Sequence, residues 1–319
     1  GGMGTVYKAR QISMNREVAI KVLKHEYAKN QLAKARFERE AKAASRLSHP
    51  NTIRVYERAV SDQGFLYQVI ELLHGESLAD IMDDEGAISL SRSINIMSQI
   101  CDSLAEAHEF KVTHRDLKPE NIFIEPKHGN PEFVKVLDFG IAKIAEPTVS
   151  LATATGMICG TPAYMSPEQA MGKPIDGRSD IYALGILLWE MLYVDRPYDG
   201  DTPMEIMLQH INGPVPELPT PHSPEVHLAL SDLFAWLLAK APDDRPQTCV
   251  ELKERLLAIA SGPLARDIAL SDTQAAPTLD VPQSRPVPVV SKPQPATDPP
   301  GRARSWGAIA AAAVLGLLT

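Results

Sequence analysis

The sequence predicts an α+β fold in which a small, strand-rich lobe comes before a larger, helical lobe. Two features carry this prediction. The early apolar segments, such as residues 18–22, are short and rich in β-branched side chains, a composition typical of strands. Beyond Leu78, apolar residues recur at alternating spacings of three and four, as they do along one face of a helix. We therefore expect a small lobe at about residues 1–73 and a large lobe at about residues 74–258.

The predicted elements follow this division along the chain. Residues 5–7 and 18–22 are expected to be strands, and residues 31–47 a helix. Residues 181–192 are apolar on nearly every side, which indicates a central buried helix. Another long helix of the large lobe is predicted from five residues that share one face: Ile94, Met97, Cys101, Leu104 and His108.

Composition and charge exclude several classes of protein. The 319-residue chain has a net charge of −8 and a pI near 5.6, whereas proteins that bind nucleic acid usually carry a basic face. No nucleic-acid partner is therefore expected. The three cysteines are far apart and lack metal-ligand spacing, which indicates a reducing compartment rather than a disulfide framework.

The C-terminal part of the chain differs in composition from the rest. Proline recurs through residues 259–305 and large apolar side chains are rare there, which predicts a disordered linker. Residues 306–319 are uncharged and apolar, and Arg302 and Arg304 come just before them. As a helix this run is shorter than a bilayer core of about 30 Å, so a buried helix or an apolar tail is the alternative. We interpret it as the start of a truncated transmembrane helix with a cytoplasmic basic flank.

Glycines and a lysine near the start fit a phosphate-binding site. Gly1, Gly2 and Gly4 would let backbone N–H groups approach a phosphate, although a tight turn would also explain them. Lys21 lies on a predicted strand, and Glu40 falls on the apolar face of the predicted helix. Because an unpaired buried carboxylate is costly, we expect Glu40 to pair with Lys21 and hold it towards the α- and β-phosphates.

Residues 114–121, His-Arg-Asp-Leu-Lys-Pro-Glu-Asn, carry the strongest chemical signal. Phosphoryl transfer needs a carboxylate to orient the attacking hydroxyl and take its proton, and cations to absorb charge on the transferring oxygens. Asp116 suits the first role and Lys118 the second, while Asn121 suits a metal ligand. Asp138, which opens an Asp-Phe-Gly sequence at the end of a predicted strand, adds a second carboxylate fit for Mg²⁺.

With these motifs in this order, the chain resembles the protein kinase superfamily over about residues 1–258. Residues 166–168, Ser-Pro-Glu, stand where the family has Ala-Pro-Glu. Lys118 and Thr161 resemble serine/threonine rather than tyrosine kinases, and residues 160–170 resemble the eukaryotic-like kinases of bacteria. The resemblance implies a bilobal kinase fold whose small lobe lacks its first strand.

The resemblance also implies roles for residues that carry no chemical signal of their own. Asp180 would brace the catalytic loop, and Arg245 would pair with Glu168. The adenine pocket would be formed by six residues: Val6, Ala19, Ile70, Glu71, Leu73 and Phe123.

Regulation is expected between Asp138 and Glu168. Thr153 and Thr155 resemble the paired threonines that bacterial relatives phosphorylate, and the alternative is that they are solvated loop residues. Arg115 would pair with the added phosphate and order the loop. In the family, the hydroxyl of Thr161 faces the catalytic aspartate, so Thr161 is not expected to be a switch.

The implied function is transfer of the γ-phosphate of ATP to serine or threonine hydroxyls of proteins, with Mg²⁺ or Mn²⁺. A second copy of the chain for trans-autophosphorylation and the membrane are the other expected partners. The kinase domain would be cytoplasmic and the full-length protein a single-pass protein of the bacterial inner membrane. The alternative is a pseudokinase that binds ATP as a scaffold. Pseudokinases usually lose the strand lysine, the catalytic aspartate or the metal aspartate. Lys21, Asp116 and Asp138 are all present here, as is Asn121, which favours the active enzyme.

Overall fold

The structure is a computed structural model that describes residues 4–23, 46–127, 129–139, 162–219 and 222–265. Within these ranges a small sheet lobe precedes a larger helical lobe, so the predicted α+β fold is confirmed. Six residues with predicted functional roles lie outside the described residues: Gly1, Gly2, Glu40, Thr153, Thr155 and Thr161.

The small lobe contains an antiparallel sheet of four strands in the described part of the chain. These are β1 (Gly4–Gln11), β2 (Arg16–Leu23), β3 (Val55–Val60) and β4 (Leu66–Glu71), arranged in the order β1-β2-β4-β3. The two strands predicted from β-branched composition lie within β1 and β2, near the start of β1 and in the middle of β2. Strand β2 therefore has a neighbour on each side, with β1 at one edge.

Gly4 has a packing role that the sequence did not reveal. It lies opposite Leu23 across β1 and β2, and a Cβ atom at this position would lie 2.2 Å from the carbonyl oxygen of Val22. Since only glycine permits so close an approach between two backbones, the position is restricted by strand pairing. A role in phosphate binding would be additional to this.

The helix predicted for residues 31–47 falls mostly outside the described residues. Its predicted end is wrong, because Arg46 and Leu47 lie in a turn and in irregular structure. The chain is instead held here by Glu106, whose carboxylate accepts the backbone N–H groups of Ser48 and His49 at 2.9–3.1 Å. This tertiary contact, which no local pattern encodes, redirects the chain before residue 48.

A second, three-stranded antiparallel sheet carries the residues that flank the catalytic segment. It consists of β5 (Glu76–Ser77), β6 (Ile122–Lys127) and β7 (Asn130–Val136), in that order. Strand β6 begins directly after Asn121, and β7 ends two residues before Asp138. The β6–β7 hairpin thus brings the two predicted metal-ligand residues to one end of the sheet.

The helices of the large lobe all begin after a residue suited to capping. In the described residues, each of the seven follows a Ser, Thr or Asp whose side-chain oxygen accepts a backbone N–H of the first turn, which satisfies an otherwise unpaired donor. The helices are α1 (Leu78–Glu85), α2 (Leu90–Glu109), α3 (Pro167–Ala170), α4 (Gly177–Tyr193), α5 (Pro203–Asn212), α6 (Pro224–Leu237) and α7 (Cys249–Ile259).

Helix α4 is the centre of the large lobe. Every residue from Ser179 to Tyr193 is buried, so the helix predicted from the all-round apolar pattern of residues 181–192 is confirmed. Trp189 packs edge-on against Phe234 of α6, with ring centroids 4.9 Å apart. Helix α2 was predicted from the periodicity of five residues, and four of them are buried: Ile94, Met97, Cys101 and Leu104.

The end of the large lobe extends further than the sequence predicted. After α7, a π-helical turn covers Ala260–Leu264, whereas a disordered linker was expected from residue 259. Ile259 is buried in the core and Ala260 packs against it, which keeps the chain helical past the predicted boundary. No helix among the described residues is long and apolar enough to cross a membrane, and residues 266–319, with the predicted membrane segment, lie outside them.

Candidate active site

The catalytic segment is anchored to helix α4 by a buried carboxylate. Asp180 accepts the backbone N–H of His114 at 2.8 Å through Oδ2 and that of Arg115 at 2.9 Å through Oδ1. His108 of α2 also lies 2.8 Å from Oδ2 through its Nε2 atom. Arg115 has a φ of 71°, a left-handed conformation that is unfavourable for a residue with a side chain. The carboxylate therefore holds a strained backbone next to Asp116.

The side chain of Asp116 lies between two groups of the same segment. Asn121 donates from Nδ2 to the backbone oxygen of Asp116 at 2.7 Å and to its Oδ2 atom at 3.1 Å. The ammonium of Lys118 lies 3.5 Å from the same Oδ2 atom. The structure thus brings together the base, the cation and the amide that the sequence predicted.

His114 connects the catalytic segment to the strand that leads to Asp138. Its Nε2 atom donates to the carbonyl oxygen of Leu137 at 2.6 Å, because a carbonyl oxygen can only accept. Its Nδ1 atom accepts the backbone N–H of Asp116 at 3.3 Å. The ring also packs against Phe139, which is 3% exposed, with centroids 4.8 Å apart. One buried side chain therefore fixes the relative positions of Asp116 and Asp138.

Asp138 is reached from the small lobe by two side chains. Lys21 of β2 forms an ion pair with its Oδ2 atom, and Gln68 of β4 lies 3.5 Å from its Oδ1 atom through Nε2. The φ of Asp138 is 57°. The sequence predicted that Lys21 pairs with Glu40, which lies outside the described residues, so that pairing stays a prediction.

Glu168 and Arg245 form the buried pair that the resemblance implied. The guanidinium donates to both carboxylate oxygens at 2.8 and 2.9 Å, and Ser179 donates to the same carboxylate. Burial alone would raise the pKa of Glu168, but hydrogen bonds from Arg245 and Ser179 outweigh it and lower the pKa. Glu168 lies in the first turn of α3, so the pair fastens the segment that precedes α4 to the core.

Four of the six residues predicted to form the adenine pocket lie on neighbouring strands of the small-lobe sheet: Val6, Ala19, Ile70 and Glu71. Ala19 of β2 is directly opposite Ile70 of β4, and Val6 of β1 is directly opposite Lys21. Phe123 lies on β6. Opposite residues of an antiparallel pair project to the same face, so Val6, Ala19 and Ile70 share the face of Lys21.

Two predicted metal ligands supply oxygen atoms of the kind that Mg²⁺ prefers. Asn121 and Asp138 lie at the same end of the β6–β7 hairpin, where the backbone N–H of Leu137 donates to the backbone carbonyl oxygen of Asn121 at 2.8 Å. In the described ranges, no group of three or more His, Cys, Asp or Glu side chains is arranged so that it could hold a metal ion by itself. Mg²⁺ usually takes one or two protein ligands and completes its shell with phosphate and water oxygens, so this pair fits it.

Two side chains near the site were missed in the sequence. Gln68 is 2% exposed and approaches Asp138; as a polar residue two positions before Ile70 on an apolar strand, it gave a signal that could have been used. Lys135 of β7 pairs with Glu71 at 2.5 Å and approaches the backbone oxygen of Thr52 at 3.4 Å. No local pattern indicated that the side chain of Glu71 points towards β7.

Residues 1–256 match the family model of the protein kinase domain. The chain therefore belongs to the protein kinase family, whose members use ATP and a divalent metal ion. The match ends two residues before the boundary at residue 258 that the sequence predicted.

Named relatives place the chain among the eukaryotic-like serine/threonine kinases of bacteria. It is 42% identical over 263 residues to serine/threonine-protein kinase pkn3 of Myxococcus xanthus, covering 81% of this chain and 48% of that protein. It is 39% identical over 266 residues to serine/threonine-protein kinase PknB of Mycolicibacterium smegmatis, covering 82% and 42%. The chain thus spans less than half the length of these two relatives.

A solved structure resembles the fold over most of the chain. A crystal structure of a single-mutant PknI kinase domain from Mycobacterium tuberculosis superimposes with a TM-score of 0.63 at 26% identity, covering 82% of this chain and 92% of that one. This similarity and the family match confirm the bilobal kinase fold that the resemblance implied. The named relatives confirm the bacterial serine/threonine type.

Proposed function

We propose that this protein transfers the γ-phosphate of ATP to serine or threonine hydroxyls of proteins. The observation that carries the proposal is the convergence of Asp116, Lys118 and Asn121, which are joined by a hydrogen bond and an ion pair. His114 links this group to Leu137, the residue before Asp138. The named relatives support serine and threonine as acceptors. A scaffold that only binds nucleotide would not need the strained catalytic segment that Asp180 holds.

Asp116 acts as the base in this reaction. A substrate hydroxyl placed beside it passes its proton to the carboxylate while the hydroxyl oxygen bonds to the γ-phosphorus and the bond to the leaving oxygen of ADP breaks. The hydrogen bond from Asn121 at 3.1 Å keeps the carboxylate aimed at that position. Lys118, 3.5 Å from the base, lies where it can offset charge on the transferring oxygens.

Asn121 and Asp138 would hold the divalent cation, and Lys21 would contact the α- and β-phosphates. When bound, the cation neutralises charge on the phosphates. In the described structure Lys21 pairs with Asp138, so the ammonium has to move from the carboxylate to reach the phosphates. Mg²⁺ is the ion we propose, with Mn²⁺ as a substitute.

The adenine ring lies between the two lobes in this proposal. Val6 and Ala19 cover it from the sheet, Ile70 borders its inner side, and Phe123 supports it from the large lobe. The hinge runs from Glu71 to Leu73. Glu71 is fixed by Lys135, and its Oε1 atom also accepts the backbone N–H of Arg54 at 2.9 Å.

The test is phosphate transfer by Asp116→Asn. We expect transfer to fall by about 10²–10⁴-fold, the range for loss of a general base, with ATP binding nearly unchanged because Asp116 faces the substrate hydroxyl. Radiolabelled transfer to a generic protein substrate and nucleotide-induced thermal shifts measure the two properties. Asp83→Asn, an exposed aspartate of α1, is the matched control.

Two results contradict the proposal. Near-wild-type single-turnover transfer by Asp116→Asn would remove Asp116 from the role of base. Nucleotide binding without transfer by the wild-type protein, tested with several protein substrates, would favour the scaffold alternative.

Autophosphorylation of Thr153 and Thr155 is the regulation that we propose. A phosphate adds about −1.5 to −2 charges at neutral pH, and Arg115 is placed next to Asp116 to pair with it. A second copy of the chain would be the acceptor in trans. Mass spectrometry of autophosphorylated protein tests this, and an active enzyme unmodified at both threonines contradicts it.

We also propose a membrane anchor for the whole protein. The support is compositional: residues 306–319 carry no charge, Arg302 and Arg304 precede them, and a proline-rich segment up to residue 305 would be the tether. The kinase domain would then lie on the cytoplasmic side of the bacterial inner membrane. Fractionation of cells that express the full-length protein tests this, and recovery in the soluble fraction contradicts it.

A further inference from the structure

Gln68 is a buried polar side chain directed at the metal-binding carboxylate. It lies on β4 directly opposite Lys21 of β2, and opposite residues of an antiparallel pair project side by side to one face. Both side chains reach Asp138. Lys21 pairs with Oδ2, and the Nε2 atom of Gln68 lies 3.5 Å from Oδ1. The two oxygens of this carboxylate therefore have separate partners from the small lobe.

The amide oxygen of Gln68, unlike its nitrogen, has no hydrogen-bond partner among the described residues. This Oε1 atom is also buried. A buried polar atom left in this way costs free energy. An apolar side chain, such as those of Leu66 and Ile70 on the same face of β4, would avoid that cost. Packing alone therefore does not account for glutamine at this position.

We propose that Gln68 is a positioning residue for Asp138, an inference that rests on the proposed function. Its amide N–H holds Oδ1, so that Oδ2 stays directed to the divalent cation after Lys21 leaves it. Its free Oε1 atom then accepts a hydrogen bond from the displaced ammonium of Lys21, which has three N–H donors. Gln68 thereby lets the two charged groups separate without leaving either one unsupported.

Loss of such support should appear first in the binding of the metal ion. Side chains that orient a metal ligand typically change metal affinity or activity by about 10–100-fold when they are removed. Gln68→Met keeps the length of the side chain and removes both polar atoms of the amide. We expect the Mg²⁺ concentration for half-maximal activity to rise about 10-fold or more. The melting temperature should stay unchanged or rise, because the unpartnered buried oxygen is gone.

Gln99→Met is the matched control. Gln99 of α2 donates to the backbone oxygen of Glu132 at 2.9 Å and accepts from Asn51 and the backbone N–H of Val134 at 3.1 and 3.0 Å. These contacts hold structure away from Asp138. This variant should melt at a lower temperature and keep the wild-type Mg²⁺ dependence.

The experiment titrates Mg²⁺ with two readouts on each variant: phosphate transfer at saturating ATP, and the thermal shift induced by ADP. A wild-type Mg²⁺ midpoint in Gln68→Met would overturn the inference, including the case in which its melting temperature falls as in Gln99→Met. If Gln68→Met does not fold, Gln68→Asn, which keeps the amide but is one methylene too short, replaces it under the same criteria. If the wild-type protein shows the ADP-induced thermal shift but no phosphate transfer, the proposed function is contradicted. The Mg²⁺ dependence of that shift, compared between wild type and Gln68→Met, still tests the role of Gln68.

Discussion

In the helical lobe, the groups that hold the catalytic segment are buried and have their partners within that lobe. Asp180 is 1% exposed, and Arg245, 2% exposed, pairs with Glu168. In the sheet lobe, the side chain of Lys21 is 14% exposed, and its ionic partner in the described structure, Asp138, follows a strand of the other sheet. The first arrangement is internal to one lobe, and the second exists only between the two.

This difference indicates which ion pairs stabilise the fold and which are free to rearrange during the reaction. A charge buried in a lobe core has to keep its partner, because removal of one member leaves the other in a medium of low polarity. A pair that water still reaches loses little when it opens. Lys21 and Asp138 can therefore exchange partners during a catalytic cycle, whereas Glu168 and Arg245 cannot.

Arg245→Met should give the largest loss of stability. It leaves the carboxylate of Glu168 buried with a hydroxyl donor from Ser179 but without its cation. We expect the free energy of unfolding to fall by about 3–5 kcal/mol, measured by urea denaturation.

Arg255→Met is the matched control for this change. Arg255 is 42% exposed and lies 4.0 Å from Asp232, so its removal should cost less than about 1 kcal/mol. Equal losses in the two variants would show that burial of the Glu168 pair is not what stabilises the large lobe.

Lys21→Met should have the opposite profile. Transfer should fall by about 10²-fold or more, as for loss of one donor to transition-state charge, because the phosphates lose their contact. The free energy of unfolding should fall by less than in Arg245→Met, because the side chains of Lys21 and Asp138 are 14% and 22% exposed and water still reaches them. Single-turnover kinetics and urea denaturation measure the two quantities.

Lys8→Met on the neighbouring strand β1 is the control. Lys8 is 60% exposed and pairs with Glu17, so it should change neither quantity by a measurable amount. A loss of stability in Lys21→Met as large as that in Arg245→Met would remove the distinction between the lobes.

The sequence predicted well those features whose physical cause is local. The all-round apolar run in α4 can only be buried, and the periodic face of α2 follows from the helical repeat. In the motif of residues 114–121, Asp116 and Asn121 are close in sequence, so their proximity in the structure has a local cause. The resemblance supplied the Glu168–Arg245 pair, which spans 77 positions and has no local signature.

Features that depend on distant contacts were missed or misplaced. Gln68 approaches a carboxylate 70 positions away, and only pairing with β2 turns it towards that carboxylate. Gly4 is required by the approach of the Val22 backbone, which composition does not encode. The predicted helix end at residue 47 was wrong because Glu106, far along the chain, holds the backbone of Ser48.

The smallest predicted effect concerns His210 and the pH dependence of the free energy of unfolding. It tests whether burial in the large lobe also governs how that lobe responds to acid. This histidine of α5 is 0% exposed, and its Nδ1 atom forms a hydrogen bond with the hydroxyl of Tyr182 at 2.9 Å. Burial, with the nearby charge of Lys240, lowers its pKa from 6.5 to about 3. Below pH 6.5 the unfolded chain therefore binds a proton that the folded protein does not. Stability is complete above that pH and falls on acidification.

Between pH 6.5 and 5, the loss attributable to His210 should be about 1.5 kcal/mol. Glu168 contributes little in this window, because its pKa is lowered from 4.5 in the folded protein and most unfolded chains also keep this carboxylate ionised down to pH 5. In His210→Gln the side-chain amide can still form a hydrogen bond with Tyr182, but the titrating group is gone, so the curve of unfolding free energy against pH should flatten by that amount. Urea denaturation at pH 6.5, 5.75 and 5 measures the slope, and an unchanged slope in the variant would show that another group causes the acid sensitivity of the large lobe.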